Sequence, residues 1–372
     1  MIIKIEDLKN LSQIILPAVE TTDLSSLTDT LELYAHGGTL QFFITNKEYF
    51  LDTKITIDPD IEFKATINAN LFLRLIAQTT TDTVTLELND TYLILKGNGT
   101  YKLPLIFEDD KMLELPRIDI TNVISSFDIN GNILNSILQF NTKQLSIGIL
   151  SRPVQKLYYV DEKGCITFTS GACVNDFALT SSVKLLFNQR LVKLFKLFKD
   201  KTVKFTYGRD SVSEEIIQSK VKFELEDLVL TAILPGDDAM LKSVPVDAIR
   251  NRATNNYPYS ISFDKQGLVD TINRIKLFVA SSRAVVPYAQ FTFTKSNVII
   301  SDLSKDNKET VDYVNSLEDF EKEYSMYLDL NELLAVLDTC VESSVMLSFG
   351  DGQAIVLKRG NITNIIPEVS VD

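Results

Sequence analysis

Few side chains in this sequence have the types and spacing that catalysis needs. His36 is the single histidine, and it sits beside Gly37 and Gly38 where a hairpin turn is expected. Cys165, Cys173 and Cys340 are odd in number and dispersed, which favours a reducing compartment over secretion. Without a second histidine or paired cysteines, neither a zinc site nor a cysteine–histidine nucleophile is expected. Gly97-Asn98-Gly99 reads as a hairpin turn and lacks the rest of a phosphate loop. The runs Glu108-Asp109-Asp110 and Asp237-Asp238 could bind a divalent cation, but they fall in connectors, where solvated acidic loops explain them better. Nothing specifies an active site, so the chain is expected to be no enzyme and to need no cofactor or metal.

The chemistry that remains is basic. Ser181–Tyr207 reads SSVKLLFNQRLVKLFKLFKDKTVKFTY. A helix is expected from an N-capping serine pair to about Lys199, followed at once by a strand. At 100° per residue Phe187, Leu191, Leu194, Phe195 and Phe198 fall in one apolar stripe. Arg190, Lys193, Lys196 and Lys199 project from the other side, in a local basic stretch running from Lys184 to Lys204. The whole chain is acidic, with 37 Lys+Arg against 50 Asp+Glu and a net charge of −13. That balance argues against a general nucleic-acid coat but leaves room for one basic surface. For this helix taken alone, a solvated charged face is the plain alternative.

The elements that carry these residues recur. With 372 residues, 45% of them hydrophobic, the chain can bury two or three cores. Periodicity divides it into three α+β units, 1–118, 119–245 and 246–372, each with two helices on antiparallel sheets. The expected helices are Ile5–Val19, Asn68–Gln78 with an apolar face of Leu71, Leu75 and Ile76, Asn132–Asn141, Ser181–Lys199, Gly267–Ala280 and Asp329–Cys340. The last opens with the capping-box spacing Asp329-x-x-Glu332. Alternating strands include Thr39–Thr45, Thr83–Leu88, Tyr92–Lys96, Gln144–Leu150, Cys165–Thr169, Asp176–Thr180, Ser344–Phe349 and Ile362–Ile366. Phe127-Asp128-x-x-Gly131-x-Ile133 returns as Phe263-Asp264-x-x-Gly267-x-Val269, a domain-sized distance along the chain. Met112–Pro116 and Ser243–Val246 are proline-containing connectors between units. No run approaches the length of a membrane helix, and MIIKIEDLKN lacks a signal layout, so a cytoplasmic, membrane-free protein is expected.

Three such repeats with a basic helix face resemble the bacterial-type DNA polymerase sliding clamp, the β subunit of the replicative DNA polymerase III. Local matches are Arg152-Pro153-Val154 followed by Gly164 and Thr169-Ser170-Gly171, Phe263-Asp264 with Arg274, Leu230-Thr231-Ala232 through Val244-Pro245, and the ending Ile365-Ile366-Pro367-Glu368. The resemblance implies a DNA sliding clamp, a non-catalytic processivity factor. Two chains would close head to tail into a homodimeric ring, with helices lining a channel for double-stranded DNA. It implies sequence-independent phosphate contacts from Arg74, Lys143, Lys184, Arg190, Lys193, Lys196, Lys199, Arg274 and Lys276. Leu277 and Phe278 would meet the partner subunit. A pocket made by Gln155, Thr169, Gly171, Val174, Pro245, Ile366 and Pro367 would receive short peptide motifs of the DNA polymerase and the clamp loader. Ala172 and Cys173 stand where the family commonly has His and Arg, and Gln155 and Glu368 where it has apolar residues. These departures imply a divergent or phage-encoded clamp with its own peptide preference, basic beside Glu368. The alternatives are a non-catalytic β-rich structural protein of a virion or assembly, and an enzyme built from dispersed carboxylates.

Overall fold

Short alternating segments separated by tight turns make this chain mostly antiparallel strand, with helices where the apolar period lengthens. The computed structural model describes residues 1–20, 27–146, 150–213, 217–280, 286–315, 317, 320, 322–350 and 354–370. Two compact units form, one from residues 1–134 and 190–235, the other from residues 135–189 and 236–372.

The first unit is built on an eight-stranded antiparallel sheet. Its order is Val123–Asn130, Thr202–Ser211, Ile217–Glu224, Leu228–Ile233, Tyr49–Thr56, Thr39–Thr45, Thr30–His36, Phe63–Asn68. The two halves of this sheet come from distant parts of the chain and join where Leu230 lies opposite Leu51. A separate four-stranded sheet runs Ile2–Lys4, Thr83–Leu88, Tyr92–Lys96, Thr100–Pro104. The helix Ala69–Gln78 starts at Asn68, whose side chain accepts from the Leu71 N–H. It buries Ala69, Phe72, Leu73 and Ile76, with Phe72 against Phe42. Of the expected face, Ile76 is buried and Leu75 half-buried, whereas Leu71 is exposed and Phe72 and Leu73 take the inner positions.

The basic segment departs from expectation in an instructive way. Leu185–Phe187 is a buried edge strand paired with Tyr158–Val160, so no helix starts at Ser181 and Phe187 is not on a helical stripe. Lys184 therefore lies outside any helix. The helix begins at Gln189 and turns at Lys193–Phe198 into a 3-10 helix. The reason is legible in Lys193-Leu194-Phe195-Lys196-Leu197-Phe198, a triplet repeated once. At 3.0 residues per turn its lysines stack in one row and its phenylalanines in another. Phe195 and Phe198 are fully buried against Phe223, with ring centroids 5.3 and 5.6 Å away. Asp200 then takes a left-handed φ of 60° and turns the chain into Thr202–Ser211. Gly131 sits against this exit. Its N–H donates to the Lys201 carbonyl, and a Cβ there would lie 1.7 Å from the Phe198 carbonyl oxygen.

The second unit repeats the plan. Its large sheet runs Leu185–Phe187, Tyr158–Asp161, Gly164–Phe168, Ala172–Asp176, Ile362–Ile366, Ile355–Arg359, Ser344–Phe349, Tyr259–Asp264, joined where Ala172 faces Ile365. Its four-stranded sheet is Lys308–Asp312, Asn297–Ser301, Tyr288–Phe293, Tyr324–Asp329. The helices Lys265–Ala280 and Leu330–Asp338 cover one core, with Phe293 stacked on Phe349.

Three expectations change in this unit. The strand expected at Gln144–Leu150 is absent at its start: Gln144 and Leu145 end the helix Thr142–Leu145, which follows a π-helical turn, Ile137–Asn141. Residues 147–149 lie outside the described residues. The helix persists because Asn141, fully buried, donates to Thr167 Oγ1 and to the Cys173 carbonyl. The strand expected at Asp176–Thr180 is instead Ala172–Asp176, since a turn at residues 169–171 closes a hairpin, Thr169 N–H donating to Gly171 O at 2.7 Å. Two further helices that the sequence did not suggest, Asp238–Lys242 and Val246–Thr254, flank the connector at residues 243–245.

Candidate functional site

The expected basic residues fall into two electrostatic classes. Lys193, Lys196 and Lys199 are exposed and have no carboxylate partner among the described residues, and the same holds for Arg74 on its helix. Arg190 is held by Glu20 and Glu48 at 3.3 and 3.6 Å. In the second unit Lys143 pairs with Asp338 at 2.7 Å. Arg274 grips Glu309 through Nη2 at 2.6 Å and Nε at 2.9 Å. Lys276 is half-buried and shares with Lys143 and Lys265 a groove of about 440 Å³ between the helices Lys265–Ala280 and Leu330–Asp338. Leu277 and Phe278, near the end of the first of these helices, are 73% and 49% exposed.

A second site is an apolar pocket of about 230 Å³ in the second unit. One wall is the turn at residues 169–171 with Phe168 and Ala172, another is Pro245, Ala248, Ile249 and Arg252, and the floor includes Ile365 and Pro367. Of the residues expected to form a peptide pocket, Thr169, Gly171, Pro245 and Pro367 line this one together. Val174 packs beneath the pocket in the same cluster as Val244 and Ile365. Ile366 is buried in the other core, because adjacent strand residues face opposite sides. Gln155 does not line the pocket but holds its turn. Its Oε1 accepts from the Ser151 and Arg152 N–H groups at 2.9 and 2.8 Å, and its Nε2 donates to the Thr169 carbonyl at 3.1 Å. Glu368 lies outside the lining; the charged rim residue is Arg252, exposed and without an acidic partner among the described residues.

The helix Val246–Thr254 is tied to the sheet by Arg250, whose Nη1 and Nη2 donate to Asp161 Oδ2 and Oδ1 at 2.7 and 2.6 Å. Burial works to raise the Asp161 carboxyl, but the Arg250 guanidinium and the Lys163 N–H outweigh it and hold it below the ordinary carboxylate range. Beneath the pocket turn lies Glu332, 2% exposed. It accepts from Gln144 Nε2 at 2.5 Å, from Ser170 Oγ at 3.3 Å and from the Gly171 N–H. Burial, then the charge of Asp329, pushes its carboxyl up to about 7. Asp329 alone caps the helix, accepting from the Asn331 and Glu332 N–H groups. The expected capping box does not form, because the Glu332 side chain turns inward. Sequence reasoning missed Glu332, Ile365 and the whole Ala248–Arg252 wall.

Among the described residues no three His, Cys, Asp or Glu side chains gather as a metal site, and no helix is long and apolar enough to cross a membrane. His36 Nδ1 is 3.1 Å from Glu62 Oε1 and its ring stacks on Tyr34 at the surface.

No family model and no curated protein sequence matches this chain. Solved structures do. A DNA polymerase III subunit beta from Pseudomonas aeruginosa superposes with a TM-score of 0.79 at 13% identity, covering 100% of both chains. The Helicobacter pylori beta clamp in complex with 3,4-difluorobenzamide gives 0.75 at 18% identity, again over 100% of both chains. The same clamp bound to a DNA ligase peptide gives 0.73 at 17%, covering 100% of this chain and 99% of that one. With so little identity and full coverage on both sides, this chain has the fold of the bacterial DNA polymerase III beta clamps.

Proposed function

We propose that this chain is a DNA sliding clamp made of three repeats, 1–118, 119–245 and 246–372, that closes as a head-to-tail homodimer around duplex DNA. One observation carries the proposal. Each third of the chain supplies two groups of four strands, and the groups join wherever a partner is present: Leu228–Ile233 against Tyr49–Thr56, and Ile362–Ile366 against Ala172–Asp176. Two groups are left over, ending in the edge strands Thr100–Pro104 and Lys308–Asp312. By the same rule Thr100–Pro104 of one copy pairs with Lys308–Asp312 of another, and two such junctions use every edge of this kind. Unpaired strand edges are templates for association. A structural assembly protein has no need of such self-limiting edges beside a lysine row.

In a ring of this kind the helices face the DNA. Arg74, Lys193, Lys196 and Lys199 contact phosphates directly, and Lys143, Arg190, Arg274 and Lys276 exchange protein carboxylates for phosphate. Lys184 is the weakest candidate, since it stands outside a helix. Phosphate contacts carry no sequence information, so the ring slides. The pocket takes short peptides of the polymerase and the clamp loader, as the Helicobacter clamp takes a DNA ligase peptide. With Arg252 at its rim, the favoured peptide is acidic rather than basic.

The test is topological. Sedimentation should give twice the 41.9 kDa chain mass, and the loaded protein should stay on nicked circles and slide off once they are linearised. Lys193, Lys196 and Lys199 changed together to Glu should fold normally but lose retention, and changed to Gln should lower the log–log salt slope by about 0.9 per lost contact. A monomer at micromolar concentration, or equal loss from circles and linear DNA, overturns the proposal.

A further inference from the structure

We propose that Glu332 is a positioning residue of the peptide pocket, its ionised carboxylate fixing the Ser170–Gly171 backbone in the binding-competent shape; this rests on the pocket being the peptide site. Glu332 belongs to the helix Leu330–Asp338, is absent from the pocket lining, and is nearly inaccessible to solvent. Its two oxygens nevertheless gather donors from two other elements: Gln144 from the helix Thr142–Leu145, and Ser170 with the Gly171 N–H from the turn. The approach is close enough that a Cβ on Gly171 would lie 2.1 Å from Glu332 Oε1 and 2.5 Å from the Ile365 carbonyl oxygen. Gly171 is therefore required for contact with the carboxylate rather than for an unusual φ.

The arrangement suits the charged form. A carboxylate accepts only, and all three neighbours donate. A protonated carboxyl carries a donor, and the Gly171 N–H cannot accept it. Gln144 is engaged as well, its Oε1 accepting from Asn364 Nδ2 at 3.3 Å. Ser170 Oγ alone can turn to receive the proton, so protonation reverses that hydrogen bond and strips the charge that strengthens the others holding the turn. The charges around Glu332 do not neutralise it. Asp329 on its own helix repels it. Lys276 from the neighbouring helix acts on Asp329, and Lys143 is spent on Asp338. Arg359 stands behind Asn364, its Nη2 donating to Asn364 Oδ1 at 2.8 Å. Peptide binding, which needs the turn in place, thus favours loss of the proton, and by linkage loss of the proton favours the peptide.

The experiment uses the full chain and a fluorescein-labelled, amidated nonapeptide carrying a glutamine and a Leu-Phe pair, followed by anisotropy from pH 5.5 to 8.5. Wild-type affinity should rise about tenfold across neutral pH, one decade for each unit by which the peptide lowers the carboxyl. Glu332→Gln should bind at a single pH-independent level, and Glu332→Ala should bind about tenfold more weakly than wild type at pH 8, with melting curves confirming folded protein. Hydrogen exchange of the Gly171 amide in the free protein reads the same hold without peptide: protection should fall below pH 7 in wild type and at every pH in Glu332→Ala. A flat wild-type profile, or Gly171 protection unchanged in Glu332→Ala, overturns the role of Glu332. Absence of any wild-type binding at all pH values overturns the pocket reading instead, and the Gly171 exchange then decides whether Glu332 holds the turn.

Discussion

Asp161→Asn should release the helix Val246–Thr254 from its sheet. The side chain it replaces is 5% exposed and receives both terminal nitrogens of Arg250 at 2.7 and 2.6 Å, plus the Lys163 N–H at 2.9 Å. Arg250 Nε is buried without a hydrogen-bond partner among the described residues, so the guanidinium's hydrogen bonds go to this one carboxylate, with Tyr159 and Asp176 adding only through space. Breaking a buried pair on one side costs 3–5 kcal/mol, and Arg250 keeps 18% of its side chain exposed, so about 3 kcal/mol is the working figure. That is roughly a hundredfold in local opening. Hydrogen exchange across residues 246–254 is the assay, since a global melt mixes two units. Arg250→Met should cost more, because it strands the more deeply buried charge. Asp161→Leu with Arg250→Met should cost much less than the sum of the single changes, leaving no charge to solvate. The pH dependence has a definite sign. The Asp161 carboxyl is lowered in the folded chain, so its contribution is full above the ordinary carboxylate range and lost only as pH falls through the folded value. Protection should be flat near neutrality and drop below about pH 4. Additive single changes, or unaltered exchange in residues 246–254, would refute the reasoning.

The remaining expectations are shorter. Gly131→Ala should destabilise the first unit by more than about 3 kcal/mol in a denaturant titration, because its Cβ meets the Phe198 backbone rather than a movable side chain. Gly267→Ala, at the repeat-related position inside the helix Lys265–Ala280, meets only the Asp264 side chain at 3.1 Å and should be neutral or stabilising by up to about 1 kcal/mol. Leu277→Asp with Phe278→Asp should give monomers by sedimentation, since each buried side chain is worth roughly 1.5–3 kcal/mol and a closed two-copy ring loses it at both junctions; an intact dimer would move the interface elsewhere.

Strands were the most legible part of the chain. Thr39–Thr45, Thr83–Leu88, Tyr92–Lys96, Ser344–Phe349 and Ile362–Ile366 begin and end where their alternation does, because one buried face fixes a period of two. The same period explains the choice of Ile366 over Ile365: both are apolar and adjacent, and which one faces the pocket depends on a register that only the pairing of Ala172 with Ile365 sets. Val246–Thr254 was hidden because only Ile249 and Ala253 are buried and its anchor, Arg250, finds its partner on a distant strand. Glu332 was visible only as a capping residue, since Asp-x-x-Glu spacing says nothing about a side chain drawn inward by a turn far along the chain. The repeated glycine motif held the opposite risk. Gly131 and Gly267 look equivalent in sequence, yet only Gly131 is pressed against another backbone.

The unpaired lysines take their meaning from the acidity of the rest. In a chain of net charge −13, basic side chains find carboxylates easily, as Lys143, Arg190 and Arg274 do. Lys193, Lys196 and Lys199 avoid this because the triplet repeat commits the segment to three residues per turn. That puts Leu194, Phe195 and Phe198 on the inner rows and fills the positions between Lys193, Lys196 and Lys199 with apolar residues. In the proposed clamp such paired residues would contribute less to DNA binding, since each must give up a carboxylate before it gains a phosphate. In the proposed clamp the free row would gain its phosphates outright. On the proposed closed ring the distinction would control sliding: a few direct contacts would give attraction at the channel wall, while exchangeable pairs would soften the rest. Retention then depends on closure rather than affinity, which is why the two edge strands and the lysine row must be tested together.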